Sequence, residues 1–153
     1  MLKLGKLTDY GIVLLTYCAR APSSAHTARE LASASKLPYP TVGKILKQLA
    51  RAEILVSIRG QTGGYRLSRP AEAISVADII AAIEGPIALT ECSNEKDLPC
   101  DIEAACPVRT NWRRINHAVQ SSLEKLSLAE MQRPASEATA QNMLVQIQTR
   151  SSS

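Results

Sequence analysis

Three of the four cysteines, Cys92, Cys100 and Cys106, crowd into fifteen consecutive positions, while Cys18 stands alone in an apolar run. Four cysteines among 153 residues do not make a disulfide scaffold, so the cluster points to a metal or redox site. Thiolates are soft ligands that suit zinc or iron-sulfur groups. The spacing C-x7-C-x5-C lacks the paired C-x2-C knuckles usual in structural zinc sites, and an irregular loop can wrap a cluster from several sides. Three thiolates leave one coordination position open. His117 lies eleven residues past Cys106, which is about 16 Å along a helix, and His26 falls in the other half of the chain. Neither completes the set easily. Glu91 and Glu103 remain possible ligands, as does an external thiol, whereas Cys18 is expected to be a small core residue.

A second constellation is basic. Positions 1 to 70 hold 11 Lys and Arg against Asp9, Glu30 and Glu53, a local charge of +8 within a total of +4; the remaining seven bases face eleven acids, giving −4. A basic half joined to an acidic half suits a polyanion-binding module attached to something else. Lys3 and Lys6 precede the apolar stretch Gly11 to Leu15, but Asp9 and Thr16 interrupt it, so a signal peptide is not expected. No run approaches the roughly 20 apolar residues of a membrane span. A cytoplasmic location, where thiols stay reduced and can ligate metal, is the expectation.

The elements that must position these groups are legible from periodicity. Ile12, Leu15 and Ala19 fall at helical spacing from Thr8 to Arg20, and Pro22-Ser23-Ser24 ends the segment. Thr27-Ala28-Arg29-Glu30 has the form of a capping box opening a short helix, Ala28 to Ala34. Pro40 fits the first position of a third helix, ending near Ala52, with Val42, Ile45, Leu46 and Leu49 as its apolar stripe. Ile54 to Ile58 is rich in β-branched residues, and Gly63-Gly64 precedes Tyr65-Arg66-Leu67, so a β-hairpin follows. Helix, helix, turn, helix, hairpin is the order of a winged helix-turn-helix.

Ser75 to Asp78 caps a further helix that stops at Gly85-Pro86, and positions 90 to 106 have no usable period. Pro107 then opens the longest periodic segment, with Val108, Trp112, Ile115, Val119, Leu123 and Leu126 advancing by four and three. Such a seam predicts a partner helix, with Trp112, Ile115, Val119 and Leu123 at the contact, unless the helix packs on its own domain. The fold class is therefore mainly α with a small β-hairpin: a winged helix-turn-helix over 1–70, a connecting helix and cysteine loop over 71–106, a long dimerisation helix over 107–132 and a flexible tail over 133–153.

A recognition helix presents short polar and basic side chains to base edges in the major groove of double-stranded DNA. Tyr39, Thr41, Lys44 and Lys47 lie opposite Ile45 and Leu49 and are suited to that task. Arg59 and Arg66 flank the turn containing Gly60, Gly63 and Gly64, where glycine lets the backbone approach a duplex and arginine fits a narrow minor groove.

These segments together resemble the IscR and NsrR family of winged-helix iron-sulfur regulators, most of all the branch of SUF-system iron-sulfur assembly regulators. The resemblance runs from Leu2 to Met131 and rests on Leu7-Thr8-Asp9-Tyr10, on Leu55 to Gly60 with Gly63 to Leu67, on Glu84 to Cys92, and on Cys106-Pro107-Val108-Arg109. It implies a homodimeric regulator of cluster-assembly or stress genes with a cluster in each subunit, of the 2Fe-2S type, that alters DNA affinity. Similar IscR-like chains place a His three residues after the last Cys, but Arg109 stands there and cannot ligate a metal. NsrR-like members take an Asp near the N-terminus of the other subunit as fourth ligand, and Asp9 falls on that motif; an Asp there also simply offsets a helix dipole. Two other functions stay open: a repressor whose loop holds zinc or forms a redox disulfide, and a thiol enzyme or cluster carrier. No His-Cys or Ser-His-Asp set argues for catalysis, and a carrier has no need of the basic winged half.

Overall fold

The structure is a computed structural model that describes residues 3–93 and 105–133. Helix α1 (Lys6–Arg20) is followed by α2 (Ala28–Ser35) and α3 (Tyr39–Arg51), then by strands β1 (Leu55–Ile58) and β2 (Gly64–Leu67), α4 (Val76–Glu84), α5 (Arg109–Glu124) and a short α6 (Leu128–Met131). Short 3-10 turns cover Ala71–Ala73 and Glu91–Ser93.

Local chemistry sets the helix boundaries. Thr27 and Ser75 each cap a helix through reciprocal bonds with the residue three positions on, Glu30 and Asp78, as the S/T-x-x-E/D spacing predicts. Pro38 caps α3, and Pro40 occupies its first turn, where a missing amide hydrogen costs nothing. α2 ends with Lys36 in the left-handed region at φ 57.

The stripe predicted for α3 lies wholly in the core, whereas on α1 the buried apolar face is Leu14, Leu15 and Cys18, and of the expected Ile12, Leu15 and Ala19 only Leu15 is fully buried. Leu14, Leu15, Ile45, Leu46 and Leu49 are fully buried and pack with Ile54, Ile74, Ile79 and Leu128. Each such side chain contributes roughly 1.5–3 kcal/mol. α1 crosses α4 closely because Gly11 has no side chain, and a Cβ there would overlap the Ile83 side chain.

β1 and β2 pair antiparallel, with Leu55 opposite Leu67 and Ile58 opposite Gly64. His26 adds a bridge to β2: its amide donates to Tyr65 O at 2.8 Å and its carbonyl accepts from Tyr65 N at 2.7 Å. Gly64, at φ +143, permits this approach, since a Cβ would lie 2.5 Å from His26 O. Gly63 has a similar reason, because a Cβ there would collide with the Ile58 carbonyl. The hairpin's own backbone therefore accounts for both glycines.

The segment expected as one helix over 107–132 is broken. α5 stops at Glu124, and after a three-residue break a capping box of Ser127 and Glu130 starts α6. Val76 N donates to Leu126 O at 2.8 Å, Leu128 N donates to Ile74 O at 2.8 Å, and Leu128 is fully buried. Residues after Glu124 thus return to the N-terminal half, which removes Leu126 from the helical seam. The tail predicted beyond Arg133 lies outside the described residues.

Candidate functional site

α3 presents Tyr39, Lys44 and Lys47 on its exposed face, and these three line one concavity of about 530 Å³. Thr41 is half-buried and does not line it. Gln48, Arg51 and Tyr65 also line it, and sequence reading named none of them as a site residue. Their signal was present: Gln48 and Arg51 follow Lys44 at i+4 and i+7 on one helix face. The Gln48 Oε1 atom is buried without a hydrogen-bond partner among the described residues. No acid lines this concavity, so its three cations are uncompensated there and suit an anionic backbone.

The hairpin carries Arg59 and Gly60 exposed at its turn. Gly63 closes that turn by donating its amide to Gly60 O at 3.1 Å. Arg66 does not share the tip. It sits in β2 opposite Val56 and lines a different groove together with Arg69 and Glu72.

The cysteines separate clearly by environment. Cys18 is 1% exposed, and burial pushes its thiol up to about 11, so it stays protonated and inert as a core residue. Cys106 is a half-buried free thiol three residues before α5 begins. Cys92 lies within the Glu91–Ser93 turn, and Cys100 lies outside the described residues. Among the described residues no group of three His, Cys, Asp or Glu is gathered in a metal-holding arrangement. Asp9 is exposed in the first turn of α1. His117 shares its Nδ1 with the Ser121 hydroxyl at 3.0 Å, and His26 Nε2 lies 3.3 Å from Ala21 O.

α5 divides into two faces. Trp112 and Ile115 are 39% and 46% exposed and, with Val108, form an apolar strip outside the domain. Val119 and Leu123 are half-buried, and the buried Asn116 holds the backbone that leads from α4 toward Cys92. The four residues expected at an interface thus fall into an exposed pair and a partly buried pair.

No described helix is long and apolar enough to cross a membrane. The sequence profile of the Rrf2 family, iron-dependent transcriptional regulators, matches residues 4–134. The chain is 28% identical to CymR (YrzC), the global cysteine regulator of B. subtilis, over 86% of this chain and 97% of that one, with a TM-score of 0.64. The oxidised form of Staphylococcus aureus CymR is similar at 26% identity and a TM-score of 0.64, covering 88% of this chain and 98% of that one. T. potens IscR shares the fold at 24% identity and a TM-score of 0.63, over 85% of each chain. The chain therefore belongs to the Rrf2 family of iron-dependent transcriptional regulators, and it is a winged-helix, DNA-binding transcription regulator.

Proposed function

We propose that this regulator senses iron-sulfur cluster status or redox stress through a cluster ligated by Cys92, Cys100 and Cys106, and that it controls iron-sulfur assembly genes. The observation that carries this reading is the match to iron-dependent regulators across a chain whose three clustered thiols bracket one loop. The donor chemistry fits: Cys106 is free and partly accessible, whereas Cys18 is sealed in the core. A bound cluster of the 2Fe-2S type supplies a centre whose oxidation or loss can be read as a signal. Asp9 of the partner subunit is the proposed fourth ligand, a weak hard donor that leaves the site easy to open.

In this reading α3 enters the major groove with Tyr39, Thr41, Lys44 and Lys47, and the wing tip follows the backbone with Arg59 and Gly60, its turn shaped by Gly63 and Gly64, while any contact from Arg66 comes from the neighbouring groove. Val108, Trp112 and Ile115 meet their copies across a homodimer, with Val119 and Leu123 at its inner edge. Two copies then reach two half-sites of an operator.

The similarity to CymR, one form of which is oxidised, favours a second reading in which the same thiols act without iron as a redox disulfide, with zinc in the loop as its variant. Anaerobic purification separates the two. A coloured protein with stoichiometric iron and sulfide, whose DNA affinity changes when the cluster is removed, supports the cluster. A colourless protein with stoichiometric zinc, or one that responds only to thiol oxidants, replaces it.

A further inference from the structure

The chain between α4 and the Glu91–Ser93 turn is held at both ends. At its start, Glu84 accepts from the Gly5 amide at 2.7 Å and from the Thr8 hydroxyl. Near its far end, Asn116 Oδ1 accepts from Leu89 N at 2.9 Å and Asn116 Nδ2 donates to Ile87 O at 3.0 Å. One side-chain amide thereby makes the donor and acceptor pair that a neighbouring strand would make, and it fits a single register of the backbone. Ser93 N donates to Thr90 O at 2.9 Å, and the Thr90 and Ser93 hydroxyls lie 2.8 Å apart, which extends this order through the turn containing Cys92.

Thr8 and Asn116 are the buried polar residues among those described. An apolar residue at 116 would bury as well and leave no backbone group fixed in direction. Val119 and Leu123 on the same helix need no such direction. α5 also follows Cys106 by three residues, so it is tied to one cysteine by the chain and to the approach to another by Asn116.

We propose that Asn116 is a positioning residue of the cysteine site: by fixing Ile87 and Leu89 to α5 it ties the backbone leading to Cys92 to the helix that follows Cys106, and so governs how firmly a cluster held by these cysteines is retained. This rests on the cluster reading above.

The test compares full-length wild type with Asn116→Ala and Asn116→Leu, purified anaerobically, with Gln120→Ala on the exposed face of α5 as control. Cluster loss to an iron chelator and the visible circular dichroism of the intact cluster are measured beside the melting temperature. Outer partners of metal ligands commonly change affinity 10- to 100-fold, so loss about 10-fold faster with an altered dichroism spectrum is expected. Asn116→Leu keeps the site filled and gives the same readout should the alanine variant fail to fold. Wild-type loss rates and spectra in both variants, with only the melting temperature lowered, reduce Asn116 to a structural residue and overturn the proposal. A wild-type protein that never holds iron overturns the cluster reading and this proposal with it, and is distinguished by its lack of colour before any variant is compared.

Discussion

Glu84, the last residue of α4, accepts a hydrogen bond at 2.7 Å from the amide of Gly5, the residue that caps α1. α1 has no side-chain cap of its own, so a carboxylate 79 positions away supplies the negative charge that its N-terminus favours. Glu84→Ala is expected to lower unfolding stability by about 1 kcal/mol, the usual worth of a lost cap. Urea denaturation checks this, and an unchanged midpoint would show that solvent satisfies the α1 terminus equally well.

The wing is the clearest test of DNA contact. Arg59→Ala should weaken operator binding by about 1–3 kcal/mol, as loss of one good nucleic-acid contact does, while circular dichroism stays that of the wild type. Titration at fixed salt reads this directly. Equal affinity at moderate salt would exclude Arg59 from the interface.

Local signals were the legible ones. Thr27 and Ser75 announced their helices because a capping box is written in four residues, and the α3 stripe named that helix's whole share of the core, whereas the α1 stripe named only Leu15 of the buried residues. Ser127-Leu128-Ala129-Glu130 has the same signature, yet the apolar period of Val108 to Leu126 runs past the end of α5 at Glu124 and masks the break. Asn116 was illegible for a different reason. A polar residue inside a seam reads as solvent-facing, and its partners at Ile87 and Leu89 are 29 and 27 positions away. The His26 bridge to Tyr65 is equally non-local and rests on the absence of a Cβ at Gly64.

The two faces of α5 make the assembly prediction sharper than the seam alone. Trp112 and Ile115 are exposed, so changing both to Glu should leave the single-chain fold intact and place like charges across the proposed dimer contact. Sedimentation is expected to show a monomer with wild-type helicity. Val119 is half-buried in its own chain and is a poorer probe. A dimeric double variant would move the interface off this strip.

Acid sensitivity follows from the caps. Bonds from the Thr27 amide and hydroxyl hold Glu30 below the usual carboxylate range, and the Ser127 amide and hydroxyl do the same for Glu130. Burial alone would raise Asp78, but bonds from Ser75 and Arg69, the latter at 3.2 Å, outweigh it and lower the carboxyl. Each folded value lies below its unfolded one, so the stabilisation is present above the unfolded value near pH ~4 and is lost as pH falls through the folded values. Denaturation midpoints should therefore drop from about pH 5 toward about pH 3, and Asp78→Asn should flatten part of that slope. A slope unchanged in Asp78→Asn would remove this carboxylate from the acid response.

Ligation separates the named thiols from their neighbours. If Cys92, Cys100 and Cys106 hold the cluster, alanine at any one of them should abolish or sharply destabilise it, because two thiolates cannot satisfy the metal. Cys18→Ala should keep its full iron content, since that thiol is buried and held protonated, and should cost only about 1 kcal/mol for the small cavity. Asp9→Ala is the discriminating variant. Asp9 is exposed in the first turn of α1, so removing its carboxylate leaves the winged helix folded. As the fourth ligand, its loss makes the cluster more labile or shifts its visible spectrum, while iron-free DNA binding stays as it was. A wild-type spectrum and cluster lifetime in Asp9→Ala would move the fourth ligand to Glu91, Glu103 or a small molecule, and the likeness to NsrR would end at that residue.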